Sequence, residues 1–102
     1  MLDGHVTKNT AVLSDVAALE SFLVICADVC ALARIGPPYV VTYKSDGRED
    51  GLSGVQFVSE SNILAHTYPG VGFIYLDLFS CKTVPEGAVK HIREFLGLET
   101  HF

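Results

Sequence analysis

Three side chains within one short stretch could do chemistry together. Ser61 offers a hydroxyl nucleophile, His66 follows five positions later as a base, and Cys81 stands twenty positions after Ser61 as a proton donor. A free thiol titrates near about 8.5, so Cys81 can hold a proton at neutral pH and still release it. Each residue also has a plainer reading. Ser61 by itself is a turn or cap residue, His66 a hydrogen-bonded strand residue, and Cys81 a small buried hydrophobe. A hydrolase is disfavoured, because no Gly-x-Ser-x-Gly elbow surrounds Ser61 and no orienting acid is evident.

The wider pattern is more specific than any of its parts. Gly51-Leu52-Ser53-Gly54-Val55, Ser59-Glu60-Ser61, His66-Thr67-Tyr68-Pro69 and Asp77-Leu78-Phe79-Ser80-Cys81 follow one another in order. Together they resemble the prokaryotic S-adenosylmethionine decarboxylases, small proenzymes that cut themselves to make a pyruvoyl group. The intervals between Ser53, Ser61, His66 and Cys81 match that family without gaps, and Gly4-His5 fits more loosely. The resemblance implies cleavage between Glu60 and Ser61, with the Ser61 hydroxyl attacking the Glu60 carbonyl. It implies that His66 handles the proton and that Ser53 is a hydrogen-bond partner near the scissile bond. The ketone left on Ser61 would be the only cofactor, with no metal, condensing with a substrate amine so that the imine withdraws electrons as CO2 leaves. Cys81 would then protonate the carbanion. A place in polyamine biosynthesis follows from the same resemblance.

Two positions depart from the family in ways that bear on the substrate. Relatives carry a ribose-binding glutamate after His-Thr-aromatic-Pro, where this chain has Gly70. They carry an adenine-stacking aromatic where this chain has Gly47, although Tyr43 or Tyr68 could replace it. The same loop gains Asp46, Glu49 and Asp50, whose carboxylates would suit an ammonium or guanidinium group. S-adenosylmethionine is the family default. L-arginine or L-ornithine is the alternative substrate, and an uncleaved regulatory paralogue is the alternative of a different class.

The rest of the chain must position these groups. With 102 residues, 49% of them hydrophobic, residues 1–102 read as one domain with an affordable core. No apolar run reaches the roughly 18–20 residues that span a bilayer, and residues 1–10 do not read as a secretory signal, so a cytoplasmic location is expected. Three cysteines at these spacings make no disulfide framework, and Cys26 and Cys30 are read as core residues rather than half a metal site. A net charge of −5 with seven scattered basic residues argues against nucleic acid and is compatible with a small cationic substrate.

Residues Gly4 to Val12 read as a first strand, Ser14 as the N-cap of a helix that ends at Gly36-Pro37-Pro38, and Val16 to Ala33 as its apolar stripe. Tyr39–Tyr43, Val55–Val58, Ile63–Tyr68 and Gly72–Phe79 read as strands, with residues 45–51 as a polar loop. A second helix after Pro85 should bury Val89, Ile92, Phe95 and Leu96 and close at Gly97, and the tail could add an edge strand. The expected fold is α+β, a two-layer sandwich of a mostly antiparallel sheet with two helices on one face. Residues 73–79 are apolar on both faces, which predicts a homodimer over the uncovered side.

Overall fold

The structure is a computed structural model describing residues 2–44, 50–80 and 83–99. Strands β1 (Leu2–His5), β2 (Tyr39–Tyr43), β3 (Gly51–Val58), β4 (Ser61–Tyr68) and β5 (Phe73–Phe79) join helices α1 (Val16–Val29) and α2 (Ala88–Leu96). The five strands form one sheet in the order β1-β5-β4-β3-β2, every neighbouring pair antiparallel. This is the expected α+β sandwich. Strands β2 to β5 follow as a meander, and α1 carries the chain across from β1 at one edge to β2 at the other.

Alternation decides the two faces, because successive strand side chains point to opposite sides. The register aligns Leu52, Gln56, Ile63, Ala65, Thr67, Ile74 and Leu76 on one face, and all seven are buried. Leu19, Phe22, Leu23 and Cys26 of α1 and Ile92 and Leu96 of α2 pack in the same core. Cys26, Cys30, Val89 and Ile92 line a groove together with Leu2, Ile63, Leu76 and Leu78, so both helices cover that single face. Gly54 sets how near α1 can come: a Cβ there would lie 2.9 Å from the Leu23 side chain.

Four local expectations are corrected. The first strand stops at His5, and Thr10–Leu13 form a 3-10 turn instead. Thr7 and Lys8 donate their backbone N–H groups to the Leu96 carbonyl, and Asn9 donates its Nδ2 to the Phe95 carbonyl. This segment therefore satisfies the open end of α2 rather than a sheet neighbour. Asp15, not Ser14, caps α1, its side chain accepting from the Ala18 N–H. The helix stops at Val29, seven residues before Gly36. Ala31 takes the left-handed conformation at φ 55°, Leu32 donates to Ala27 O, and Ala31 donates to Asp28 O. That is the two-bond glycine-type stop made without glycine, which hid it from composition. Strand β3 begins at Gly51, inside the stretch read as loop.

Helix α2 closes at Gly97 as read, but Val89 is 49% exposed, so the buried face is Ala88, Ile92 and Leu96, with Phe95 packed against it. The tail forms an antiparallel bridge, with Glu99 and His5 exchanging both backbone hydrogen bonds; residues 100–102 lie outside the described set. Among the described residues no helix is long and apolar enough to cross a membrane. Cys26 and Cys30 are free, buried thiols.

Candidate active site

The scissile candidate sits on a two-residue hairpin. Val58 pairs with Ser61 across β3 and β4, leaving Ser59 and Glu60 to make the turn. Glu60 is held in the left-handed region at φ 63°. A side chain other than glycine is strained there by about 1–3 kcal/mol. The Ser61 hydroxyl donates to the Glu60 carbonyl oxygen at 2.6 Å. The hydroxyl thus lies against the carbonyl that an acyl shift from nitrogen to oxygen would engage.

Ser53 and His66 meet on the other face. They are direct cross-strand partners in β3 and β4, and Ser53 Oγ shares a 2.9 Å hydrogen bond with His66 Nδ1. Two bolts hold this pair in place. Thr67, fully buried, donates to the Leu13 carbonyl at 2.7 Å and accepts from the Leu52 N–H at 2.9 Å. Tyr43 donates to the Thr67 carbonyl at 2.8 Å, laying its ring over Gly51 so closely that a Cβ there would overlap it. Burial, and then the neighbouring Tyr68 phenol, push the Tyr43 hydroxyl up from its ordinary range. Both glycines of the Gly51-Leu52-Ser53-Gly54 run are therefore packing requirements, one for an aromatic ring and one for α1.

Ser61 and His66 do not meet within one chain. Five positions along a strand span about 16 Å, and their odd-even spacing sends the two side chains to opposite faces. The histidine face is open and apolar. Tyr39, Val41, Phe57, Leu64, Tyr68 and Phe79 all project there, with Val41 61% and Phe79 65% exposed. Tyr75, read from sequence only as an apolar strand residue, is the partner of His66 on β5, with ring centroids 6.4 Å apart. Tyr68 contacts Phe73 at 6.1 Å on the same face.

Of the acidic loop only Asp50 is described; it is exposed, three positions before Ser53. Asp46, Gly47, Glu49 and Cys81 lie outside the described residues. Gly70 is exposed in the short turn Pro69–Val71 after β4. The roles of Thr67 and Tyr43 were hidden from sequence reading. The dipeptide His66-Thr67 carried the only signal, since a threonine beside a strand histidine faces the core by alternation.

The fold and site together define a small two-layer α+β protein that carries a serine–histidine pair on an open sheet face. The chain belongs to the S-adenosylmethionine decarboxylase family, whose model matches residues 2–101. It is similar to the S-adenosylmethionine decarboxylase proenzyme of Methanococcus vannielii, at 34% identity over 86 residues, 82% of this chain and 66% of the relative. The proenzyme of Methanococcus maripaludis strain S2 is 34% identical over 89 residues, 85% of this chain and 69% of the relative. That of Pseudomonas paraeruginosa is 40% identical over 53 residues, covering 50% of this chain and 33% of the relative. In these alignments the chain spans from a third to about two thirds of each relative's length.

Proposed function

We propose that this chain is a self-processing decarboxylase acting on S-adenosylmethionine. The observation that carries the reading is the Ser61 hydroxyl resting 2.6 Å from the Glu60 carbonyl oxygen on a strained turn. Attack by that hydroxyl on the Glu60 carbonyl carbon breaks the peptide C–N bond and forms an ester, with the hydroxyl proton passing to the freed amine. Removal of the Ser61 α-proton then expels the Glu60 carboxylate, leaving a double bond in Ser61. That residue tautomerises, and water displaces ammonia, so a ketone caps the new chain start. Moving Glu60 out of the left-handed region relieves strain as the bond breaks. The Ser61 position fits such a group, since the bond before it lies at an accessible hairpin turn and the serine itself is half-buried. The finished pyruvoyl group would supply an electron sink for loss of CO2.

His66, hydrogen-bonded to Ser53, is the described base best suited to the α-proton, yet it lies about 16 Å from Ser61 along its own strand. We infer that a second copy supplies it. The open face bears both the Ser53–His66 pair and six exposed large side chains, so a homodimer formed there would cover apolar surface and hold both histidines in the interface, from which each would approach the other chain's hairpin turn on the side opposite the Ser61 side chain. Cys81 is proposed as the later proton donor. Tyr43, Tyr68 and Tyr75 give this face aromatic surfaces on which an adenine ring can stack, which supports S-adenosylmethionine despite Gly70 and Gly47. The relatives' names all specify S-adenosylmethionine. The L-arginine, L-ornithine and uncleaved-paralogue readings have no finding on their side.

The test is intact mass followed by CO2 release. Purified protein should give two fragments split before Ser61, and Ser61→Ala one full-length, inactive chain. The processed enzyme should release CO2 from S-adenosylmethionine and not from L-arginine or L-ornithine. Normal splitting of Ser61→Ala would refute the cleavage reading, and preference for either amino acid would refute the substrate.

A further inference from the structure

The strand leading into the scissile turn is clamped from its far side by a segment that the cleavage chemistry does not use. Residues 33–35 lie antiparallel to the end of β3, beyond the reach of β2. Ile35 donates its backbone N–H to the Phe57 carbonyl at 2.8 Å, Ser59 donates to the Ala33 carbonyl at 2.9 Å, and Arg34 bridges to Val58. Ser59 is the residue immediately before Glu60, so its backbone is tied down one step from the scissile bond.

This clamp has a gap. Pro37 and Pro38 have no N–H to give, so the connector cannot continue zipping onto β3 until β2 begins at Tyr39. Gln56 fills the gap with its side chain. Its Nε2 donates both hydrogens, one to the Gly36 carbonyl at 3.1 Å and one to the Phe57 carbonyl at 2.8 Å. Two carbonyl acceptors fix which end of the amide is nitrogen. The residue is fully buried on the helix-covered face, and among the described residues its Oε1 has no hydrogen-bond partner. An apolar side chain would meet the packing there without leaving a polar atom unsatisfied. The glutamine therefore has to be explained by its two donated bonds.

We propose that Gln56 is a positioning residue for self-cleavage, holding the 33–36 connector against β3 and Ser59 so that the left-handed Glu60 presents its carbonyl to the Ser61 hydroxyl. The inference rests on the self-cleavage reading above. Without the amide, the connector keeps only its ladder bonds next to an unbridged proline gap, and the turn can relax out of the left-handed conformation while the fold persists.

Gln56→Met keeps the approximate volume and removes both donors. Fresh precursor, released from denaturant into folding buffer, should convert to two fragments at least tenfold more slowly than wild type, scored by intact mass on the folded fraction. Leu96→Ala, a core change in α2, serves as a comparator that lowers the melting temperature without touching the clamp, and its cleavage should stay near the wild-type rate. Gln56→Glu adds a readout that a purely structural role would not move. As its carboxylate protonates it regains one donor, so the ratio of its cleavage rate to that of wild type should rise as pH falls. Wild-type cleavage by Gln56→Met would overturn the proposal, as would equal slowing by Leu96→Ala or a Gln56→Glu ratio flat with pH. Should Gln56→Met not fold, the Gln56→Glu ratio decides alone. Splitting of Ser61→Ala between Glu60 and Ser61 would instead overturn the reading on which this one rests.

Discussion

If each histidine acts on the other copy's turn, two dead variants should rescue one another. Within one chain Ser61 and His66 lie about 16 Å apart on opposite sheet faces, against the roughly 3 Å that proton transfer requires. His66→Ala alone should process about 10²–10⁴-fold more slowly, the usual contribution of a positioned base. Ser61→Ala alone should not process at all. In a mixed dimer, the His66→Ala chain keeps its serine and receives an intact histidine from its partner. The other site in that dimer has neither group. Random assortment of equal amounts makes roughly half of the dimers mixed, so about a quarter of all chains should split, every one of them a His66→Ala chain. The assay is co-expression with tags of different mass, sedimentation to verify dimers, and intact mass of each species. Mixed dimers in which no His66→Ala chain splits would refute cleavage across the interface. A stable monomer at micromolar concentration that still processes would refute the dimer itself.

Two further outcomes follow from the packing. Gly51→Ala should lower stability by about 1–3 kcal/mol, since its Cβ overlaps the Tyr43 ring and the Thr67 carbonyl, while Tyr43→Phe should cost about 0.5–1.5 kcal/mol for one hydrogen bond; an unchanged urea midpoint in Gly51→Ala would contradict that packing. Burial, and at Cys26 the nearby Cys30 as well, raises both thiols above their ordinary 9.0, so the folded state keeps protons that the unfolded chain loses. Their contribution is full below that value and is lost as pH rises above it toward the folded values, with Tyr43 adding the same trend above its ordinary 10.0. Urea midpoints should accordingly fall between about pH 8 and pH 10.5, and fall less in Cys26→Ala; an identical pH dependence in that variant would refute the assignment.

The sequence by itself determined the sandwich and singled out the candidate site residues. The apolar alternation of β4 and β5 was strong enough to place both strands, and the 73–79 run displayed two apolar faces before any helix was positioned. Gly97 announced the end of α2 because a left-handed stop most often takes glycine. The end of α1 was illegible for the same reason, since Ala31 makes that stop without the residue that advertises it. The stretch from Val6 to Val12 misread as strand because its β-branched Val6, Thr7, Thr10 and Val12 carry no trace of the Leu96 and Phe95 carbonyls that Thr7, Lys8 and Asn9 satisfy. Spacing brought Ser61 and His66 into one motif, as though they could meet. Only the tertiary structure showed that a strand of period two, with the pair five positions apart, faces one toward α1 and α2 and the other away. Distance along a chain fixes order, but which side chains touch is decided by strand register, and register depends on partners remote in sequence. Gln56 carries the same lesson: nothing beside it in the chain indicates that its amide crosses to Gly36, twenty residues earlier.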